Sequence, residues 1–353
     1  MEKLNSGIEI GVYTFGELLC EPYNGNLISA KQRINEIIQA AKLADDAGLD
    51  VFGIGEHHRL DFAVSAPHVI LAAIAQNTNQ IKLISATTVL NTVDPVRLFE
   101  DFATLDIISN GRAEIVAGRG AFMESFPLFG YNLDDYDYLF SENIELLLKL
   151  NKNERITWKG HFRSELKDAD ISPRPIQQRI PIWIGVGGSQ ESAERAGRLG
   201  EGLMLAVLGG DPIHFKPLVE AYQDAGFKAG HNSKKLKVAI GSHVYIRETS
   251  QKAKEEFYPY YTNYFKHFMK NGERLKISQT DFEQMAAPNN SLFVGSSQEI
   301  IEKILRQHEL FGHQRFLAQV DIGGLPFNEV AKNIELLATE VAPVVRRETK
   351  KGC

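Results

Sequence analysis

Three short stretches carry residue types that can do chemistry. In the run from Ile180 to Ala196, an apolar segment passes through Gly185, Gly187 and Gly188 into the first turn of a helix. Such a turn makes an anion site, because the first N–H groups of a helix have no partner within it and its positive dipole end favours a phosphate. Ser189 and Ser192 add hydroxyls on the same turn. The dinucleotide fingerprint fails here. Its third glycine, counted from Gly187, is Gln190, and the following strand, Leu203 to Leu208, ends without the acidic residue that would bind a ribose. A mononucleotide phosphate fits better than NAD. The same residues also fit an ordinary strand-to-helix turn capped by a serine.

The second stretch is Glu56-His57-His58-Arg59, four titratable groups directly after Gly53-Ile54-Gly55. Histidine suits proton transfer there, since its ordinary pKa of about 6.5 lies close to working pH. Neighbours at a strand end point to opposite faces, so His57 and His58 do not easily reach one ion, which argues against a metal-dependent hydrolase. No metal site is expected. The third stretch, Gly118-Arg119-Gly120, sets an arginine between glycines that let it project from a strand end. A plainer reading makes the histidines exposed loop residues and has Arg119 neutralise Glu114 or Glu124.

The elements that position these groups alternate. Eight β-rich runs, at Ile8–Phe15, Val51–Gly55, Ile81–Val89, Ala113–Ala117, Ile182–Val186, Leu203–Leu208, Lys237–Ile246 and Arg315–Val320, are separated by amphipathic helices. In the first helix Ser29 is a cap, Ile34, Ile37, Ile38, Ala41 and Ala44 share a face, and Gly48 is the stop. In the third, Asp94 caps and Pro95 opens a turn that presents Leu98, Phe102 and Leu105. Near-continuous apolar strands in strand-helix alternation predict a parallel sheet, and eight repeats predict closure into an α/β (β/α)8 TIM barrel, with an open doubly wound sheet as the alternative. A plain barrel takes about 250 residues, so this chain of 353 has room for insertions. They are expected at Phe122–Asp137 after strand four, Asn151–Arg179 before strand five and Phe257–Val294 after strand seven. Residues 1–345 are read as one domain and 346–353 as a basic, solvated tail.

Composition excludes other classes. With 43% hydrophobic residues and a net charge of −6, the chain has enough apolar material for a large core and no general attraction to nucleic acid or anionic membrane. Cys20 and Cys353 make no disulfide framework, no segment resembles a signal peptide, and no apolar run reaches the roughly 18 residues of a membrane span. A cytoplasmic setting is the expectation.

Taken together, Glu56-His57-His58, the run Thr92 to Asp101, Ser109-Asn110-Gly111-Arg112, Gly118-Arg119-Gly120 and the run Gly187 to Ser192 resemble the bacterial luciferase-like flavin-dependent monooxygenases over nearly the whole chain. The resemblance implies a barrel that binds FMN, with Gly187, Gly188, Ser189 and Ser192 at its phosphate and Arg119 at the flavin. It implies a cis peptide between Ala86 and Thr87 beside the isoalloxazine ring, and His57 as the catalytic base. It further implies that reduced FMN from a separate, transiently bound flavin reductase reacts with O2 to oxidise a small substrate such as an aldehyde, the missing NAD fingerprint being in keeping with this. Gly118 and Gly188 stand where the luciferase catalytic subunit has a cysteine and a glutamate, so light emission is not implied. A deazaflavin-dependent reductase of the same fold and a non-catalytic flavin-binding protein are the alternatives. The apolar helix Ser65 to Asn77 and the resemblance together imply a homodimer. Substrate choice is expected in the insertions, where Phe122 to Tyr131 would line a pocket. The aromatic run Tyr258 to Met269 reads either as a lid or as a helix packing its rings on the barrel.

Overall fold

The computed structural model describes residues 7–350 apart from 121, 267, 268, 271 and 272, and leaves the side chains of 269, 270, 273 and 274 undescribed. His267, Phe268 and Cys353 thus lie outside the described residues. Eight strands are parallel: β1 (Glu9–Thr14), β2 (Val51–Ile54), β3 (Lys82–Ser85), β4 (Ala113–Gly118), β5 (Ile182–Val186), β6 (Gly202–Ala206), β7 (Val238–Arg247) and β8 (Arg315–Gln319). Each pairs with the next in chain order, and β8 returns to β1 with Glu9 opposite Arg315, so the sheet is a closed barrel.

Side-chain alternation sorts the strands into two cores. Tyr13, Val51, Ile84, Val116, Trp183, Met204, Ala239 and Leu317 fill the barrel, whereas their neighbours, such as Ile10, Phe52, Leu83 and Ile115, pack outward against helices. Helix α1 (Ala30–Asp46) starts where the Ser29 hydroxyl accepts from the Gln32 N–H and buries Ile37, Ala41 and Ala44. Helix α2 (Pro67–Ala75) buries Ile70, Leu71 and Ile74 but leaves Val69 61% exposed. In α3 (Pro95–Ile108) the Asp94 carboxylate accepts from the N–H groups of Val96 and Arg97, and Leu98, Phe102 and Leu105 are buried.

At the amino-terminal end of the barrel the inward side chains are charged. Arg315 donates to both oxygens of Glu114 at 2.7 and 3.1 Å and to Glu9 at 2.8 Å. Lys82 bridges Glu9 and Glu114 at 2.5 and 3.3 Å, and the Trp183 indole N–H donates to Glu114 at 2.8 Å. Glu114 is therefore not the partner of Arg119. Four strands supply the charged residues of this plug, and β5 adds Trp183.

Three local departures from the sequence expectation have physical causes. The run Ile81 to Val89 is not one strand: β3 stops at Ser85, the Ala86–Thr87 peptide is cis, and Thr88–Val89 pairs separately with Ala117 and Gly118. The stretch Phe257–Val294 is not wholly insertion, because β7 runs on past the end of β8 and its free edge takes a ninth parallel strand, Phe293–Ser296. At the other terminus, a last helix continues to Glu348, and Arg346 ion-pairs with Asp50 at 2.6 Å instead of lying free in solvent. Before strand five, Arg155–Trp158 and Leu166–Asp170 form an antiparallel hairpin. No helix among the described residues is long and apolar enough to cross a membrane.

Candidate active site

The predicted site residues gather at the carboxyl-terminal mouth of the barrel. Two glycines make room for Thr87: a Cβ on Gly118 would lie 2.5 Å from the Thr87 hydroxyl, and one on Gly185 would lie 2.9 Å from its methyl. The cis peptide joins Ala86 to Thr87 as the resemblance implied. Thr87 thus touches the residue that precedes Arg119.

His57 and His58 diverge, as alternation at a strand end requires. The His57 ring sits among Phe62, Phe15 and Phe122, with centroids 4.2, 5.0 and 5.1 Å away. Burial in this aromatic pocket, reinforced by the Arg59 charge, lowers its pKa to about 4, so the ring is neutral near pH 7. His58 turns the other way. Its Nε2 lies 2.8 Å from Glu56, whose second oxygen accepts from the Val89 N–H at 3.1 Å, and its ring meets Phe129. Glu124 accepts from the His58 backbone N–H at 3.4 Å, so it too is not the partner of Arg119.

Arg119 instead reaches across to the helix after β5. Its Nη2 donates to the Ser192 hydroxyl at 2.8 Å, its Nη1 donates to Asp137 at 2.5 Å, and its guanidinium lies 4.9 Å over the Tyr136 ring. Ser189 caps α5 (Gln190–Leu199) through a long bond of 3.4 Å from the Ser192 N–H. Gly187 and Gly188 face open space, with no atom within 4 Å of where a Cβ would stand. The structure therefore places Arg119 on Ser192, next to Gly187, Gly188 and Ser189 at the start of α5, and His57, Ala86 and Thr87 on adjoining strand ends. An open cradle of glycine backbone, hydroxyls and a guanidinium fits a phosphate.

Sequence reading missed a polar group beside the histidine. A cleft lined by Glu17, Arg59, Asp61, Phe62, Phe122 and Tyr264 borders the aromatic pocket. Arg59 forks onto Asp61 at 2.9 and 2.6 Å and lies 4.8 Å over the Phe122 ring. Glu17 accepts from the Gly323 N–H at 2.9 Å, and burial together with the nearby Asp321 raises its pKa to about 8. Glu17 and Asp321 follow β1 and β8 closely, so the inspection of strand ends that found His57 would have found them. His243 and Gln319 lie within β7 and β8, where the signal was a polar residue in an apolar strand. In the aromatic helix α6 (Ser250–Phe265), Phe257, Tyr261 and Tyr264 are buried, so the packing reading, not the lid, describes these rings.

Residues 8–314 match the family described as luciferase-like monooxygenase. The chain belongs to that family. The oxygenase component of the flavin-dependent trigonelline monooxygenase of Acinetobacter baylyi is 25% identical over 343 residues, covering 89% of this chain and 90% of that protein. The F420-dependent glucose-6-phosphate dehydrogenase of Amycolatopsis mediterranei is 27% identical over 200 residues, covering 54% of this chain and 58% of the other. Among solved structures, the oxygenating constituent of 3,6-diketocamphane monooxygenase from Pseudomonas putida, in complex with FMN, superposes with a TM-score of 0.76 at 23% identity over 96% of this chain and 98% of the other, a likeness of fold. This family member is an oxidoreductase of the flavin- or F420-dependent kind.

Proposed function

We propose that the protein is the oxygenase of a flavin-dependent monooxygenase, holding FMN and oxidising a small organic substrate, such as an aldehyde, with O2. The observation that carries this reading is the bond from Arg119 to Ser192, which ties the strand-four arginine to the phosphate-type corner at the start of α5. Gly187, Gly188, Ser189 and Ser192 would hold the phosphate, Arg119 would sit between phosphate and ring, and Ala86 and Thr87 would support the ring face. Reduced flavin, when bound, supplies electrons to oxygen. The chain's own work is to orient the substrate against that ring, exclude water with Phe15, Phe62 and Phe122, and accept a proton at the neutral imidazole of His57. The relative described as an oxygenase component supports a separate, transient flavin reductase. The exposed Val69 on α2 supports pairing of two copies through that helix, to be checked by sedimentation at micromolar concentration.

The F420-dependent relative supports a second reading, a deazaflavin-dependent reductase on the same barrel. Titration with FMN, riboflavin and F420, followed by oxygen uptake with reduced FMN across a panel of aldehydes and other carbonyl compounds, separates the two. The oxygenase reading expects FMN binding and substrate-stimulated oxygen consumption. Binding of F420 without FMN, or FMN binding with no oxygen uptake by any carbonyl, overturns it.

A further inference from the structure

The cleft beside the aromatic pocket of His57 has one carboxyl more than its cations can match. Both guanidiniums near it are already paired: Arg59 forks onto Asp61, and Arg33 of α1 meets Asp321 at 2.7 Å. Glu17 is left over. It lines the cleft with its side chain buried, yet it forms no ion pair among the described residues. Its hydrogen bonds come from the Gly323 N–H at 2.9 Å and, at a long 3.4 Å, from the Gln319 amide. Two buried acceptors in its surroundings, Asp321 Oδ1 and Gln319 Oε1, have no hydrogen-bond partner. An ionised Glu17 would therefore be a buried charge without its cation, which is costly. Burial and the Asp321 charge keep it protonated near pH 7, with a pKa of about 8.

The other walls of the cleft are ring faces. Phe62, Phe122 and Tyr264 line it, and two of these rings already take a cation, since the Arg59 guanidinium lies 4.8 Å over Phe122 and 5.8 Å over Phe62. An anion finds the opposite. The guanidinium in the cleft is held by Asp61, and Glu17 and Asp321 disfavour a further negative charge.

We propose that this cleft binds an organic ammonium cation, that Glu17 is the carboxylate that meets it, and that the substrate of the enzyme carries this cation. Calling the ligand a substrate rests on the oxygenase reading, whereas the assignment of the cleft does not. Binding moves one proton. Glu17 gives its proton to solvent as the cation arrives, so the two new charges cancel while Arg59 and Asp61 keep each other. The groups that face Glu17 are Arg33 from α1, Asp61 after β2, Asp321 after β8, Tyr13 in β1 and Tyr264 in α6. Burial holds both tyrosines protonated, the other three are engaged in ion pairs, and His57 is already neutral, so Glu17 is the group that changes state near neutrality.

The test compares choline with its neutral isostere 3,3-dimethylbutan-1-ol, by calorimetry on the purified protein and on Glu17→Gln. At pH 8, where Glu17 is half ionised, the wild type should prefer choline by about tenfold or more. At about pH 7 it should release roughly one proton per choline, read from the buffer dependence of the heat, and none with the alcohol. Choline affinity should rise about tenfold per pH unit up to pH 8 and level off above it. Glu17→Gln should lose the preference, the proton and the slope together, and its unchanged affinity for the alcohol reports an intact fold. Equal or undetectable wild-type affinities, absent proton release, or a choline preference that survives Glu17→Gln would overturn the cation cleft. Oxygen uptake with reduced FMN, measured with betaine aldehyde against 3,3-dimethylbutanal, then tests the substrate. Stronger stimulation by betaine aldehyde is expected, and equal stimulation overturns the cation as a substrate feature. Charge-selective binding with no uptake from either aldehyde would leave the cleft standing and count against the oxygenase reading.

Discussion

The two ends of the barrel are both rich in charge, and they treat it differently. At the amino-terminal end Glu9, Lys82, Glu114 and Arg315 satisfy one another, with Trp183 completing the Glu114 carboxylate. At the carboxyl-terminal end the groups are left incomplete: His57 is neutral in an aromatic pocket, Arg195 has an unpartnered nitrogen, and Gly187 and Gly188 border open space. A closed network serves the fold, whereas an open one has capacity for a ligand. The same residue types thus form a closed network at one mouth and an open one at the other, and the distinguishing property is whether their partners are already present.

The sharpest way to break this comparison is at His57. If it is the base, His57→Ala should lower turnover by about 10²- to 10⁴-fold with FMN affinity nearly intact, and His58→Ala should act mainly on stability through the lost contact with Glu56. Steady-state rates beside FMN titrations decide this. A fully active His57→Ala would return the ring to a packing role within its aromatic pocket.

At the opposite mouth, Arg315→Met should leave turnover per folded molecule unchanged and cost about 3–5 kcal/mol of stability, because Glu114 is left buried with only Lys82 and Trp183. Urea unfolding measures the loss. Burial alone would raise the Glu114 pKa, but the charges of Arg315 and Lys82 outweigh it and hold the group at about 2. Its folded value lies below its unfolded one. Its contribution is therefore fully present above about pH 4.5 and fades as pH falls toward 2, and the variant should lose that dependence.

Much of the carboxyl-terminal mouth was legible because strand ends are local. His57, Arg119, Ser189 and Ser192 each sit within a few residues of a recognisable apolar run, and the cis bond at Ala86–Thr87 followed from the resemblance. The amino-terminal plug was not legible, since its four charged residues come from β1, β3, β4 and β8 and meet only when the sheet closes. The strand Phe293–Ser296 was missed for a related reason: it pairs only with the part of β7 that outruns the barrel, a length that no local pattern reveals. Arg195 carried no motif that drew a reading from the sequence. It meets Phe140 and Asp137 of helix α4 (Tyr136–Lys152), more than fifty positions earlier in the chain.

Titration distinguishes the buried histidines from Glu17. Burial lowers the pKa of His57 and His243 to about 4 and that of His313 to about 3. Between pH 6.5 and these values the unfolded chain binds protons that the native state does not, so stability should fall as pH drops, by up to about 1.4 kcal/mol per pH unit for each histidine. Glu17 acts in the opposite sense. Its pKa is raised to about 8, so its contribution is present below about pH 4.5 and is lost as pH rises through 8, and Glu17→Gln should flatten that limb. Urea midpoints measured from pH 4 to 9 test both arms. A flat profile below pH 6 would show that the histidines are not held neutral.

The smallest effect concerns the corner at α5. The Ser189 hydroxyl already caps the helix, but its bond from the Ser192 N–H is long, at 3.4 Å, so the oxygen is only weakly engaged and its proton is free to be donated. A hydrogen bond to a charged phosphate oxygen is worth roughly 1.5–3 kcal/mol, which places Ser189→Ala at about a tenfold or greater loss of FMN affinity. Losing the cap costs about 1 kcal/mol of helix stability as well, a penalty that falls equally on every ligand. Riboflavin separates the two contributions. If only FMN binding weakens, the hydroxyl meets the phosphate; if FMN and riboflavin weaken together, Ser189 is a helix cap and nothing more, and the open corner would then depend on Arg119 and Ser192 for its anion.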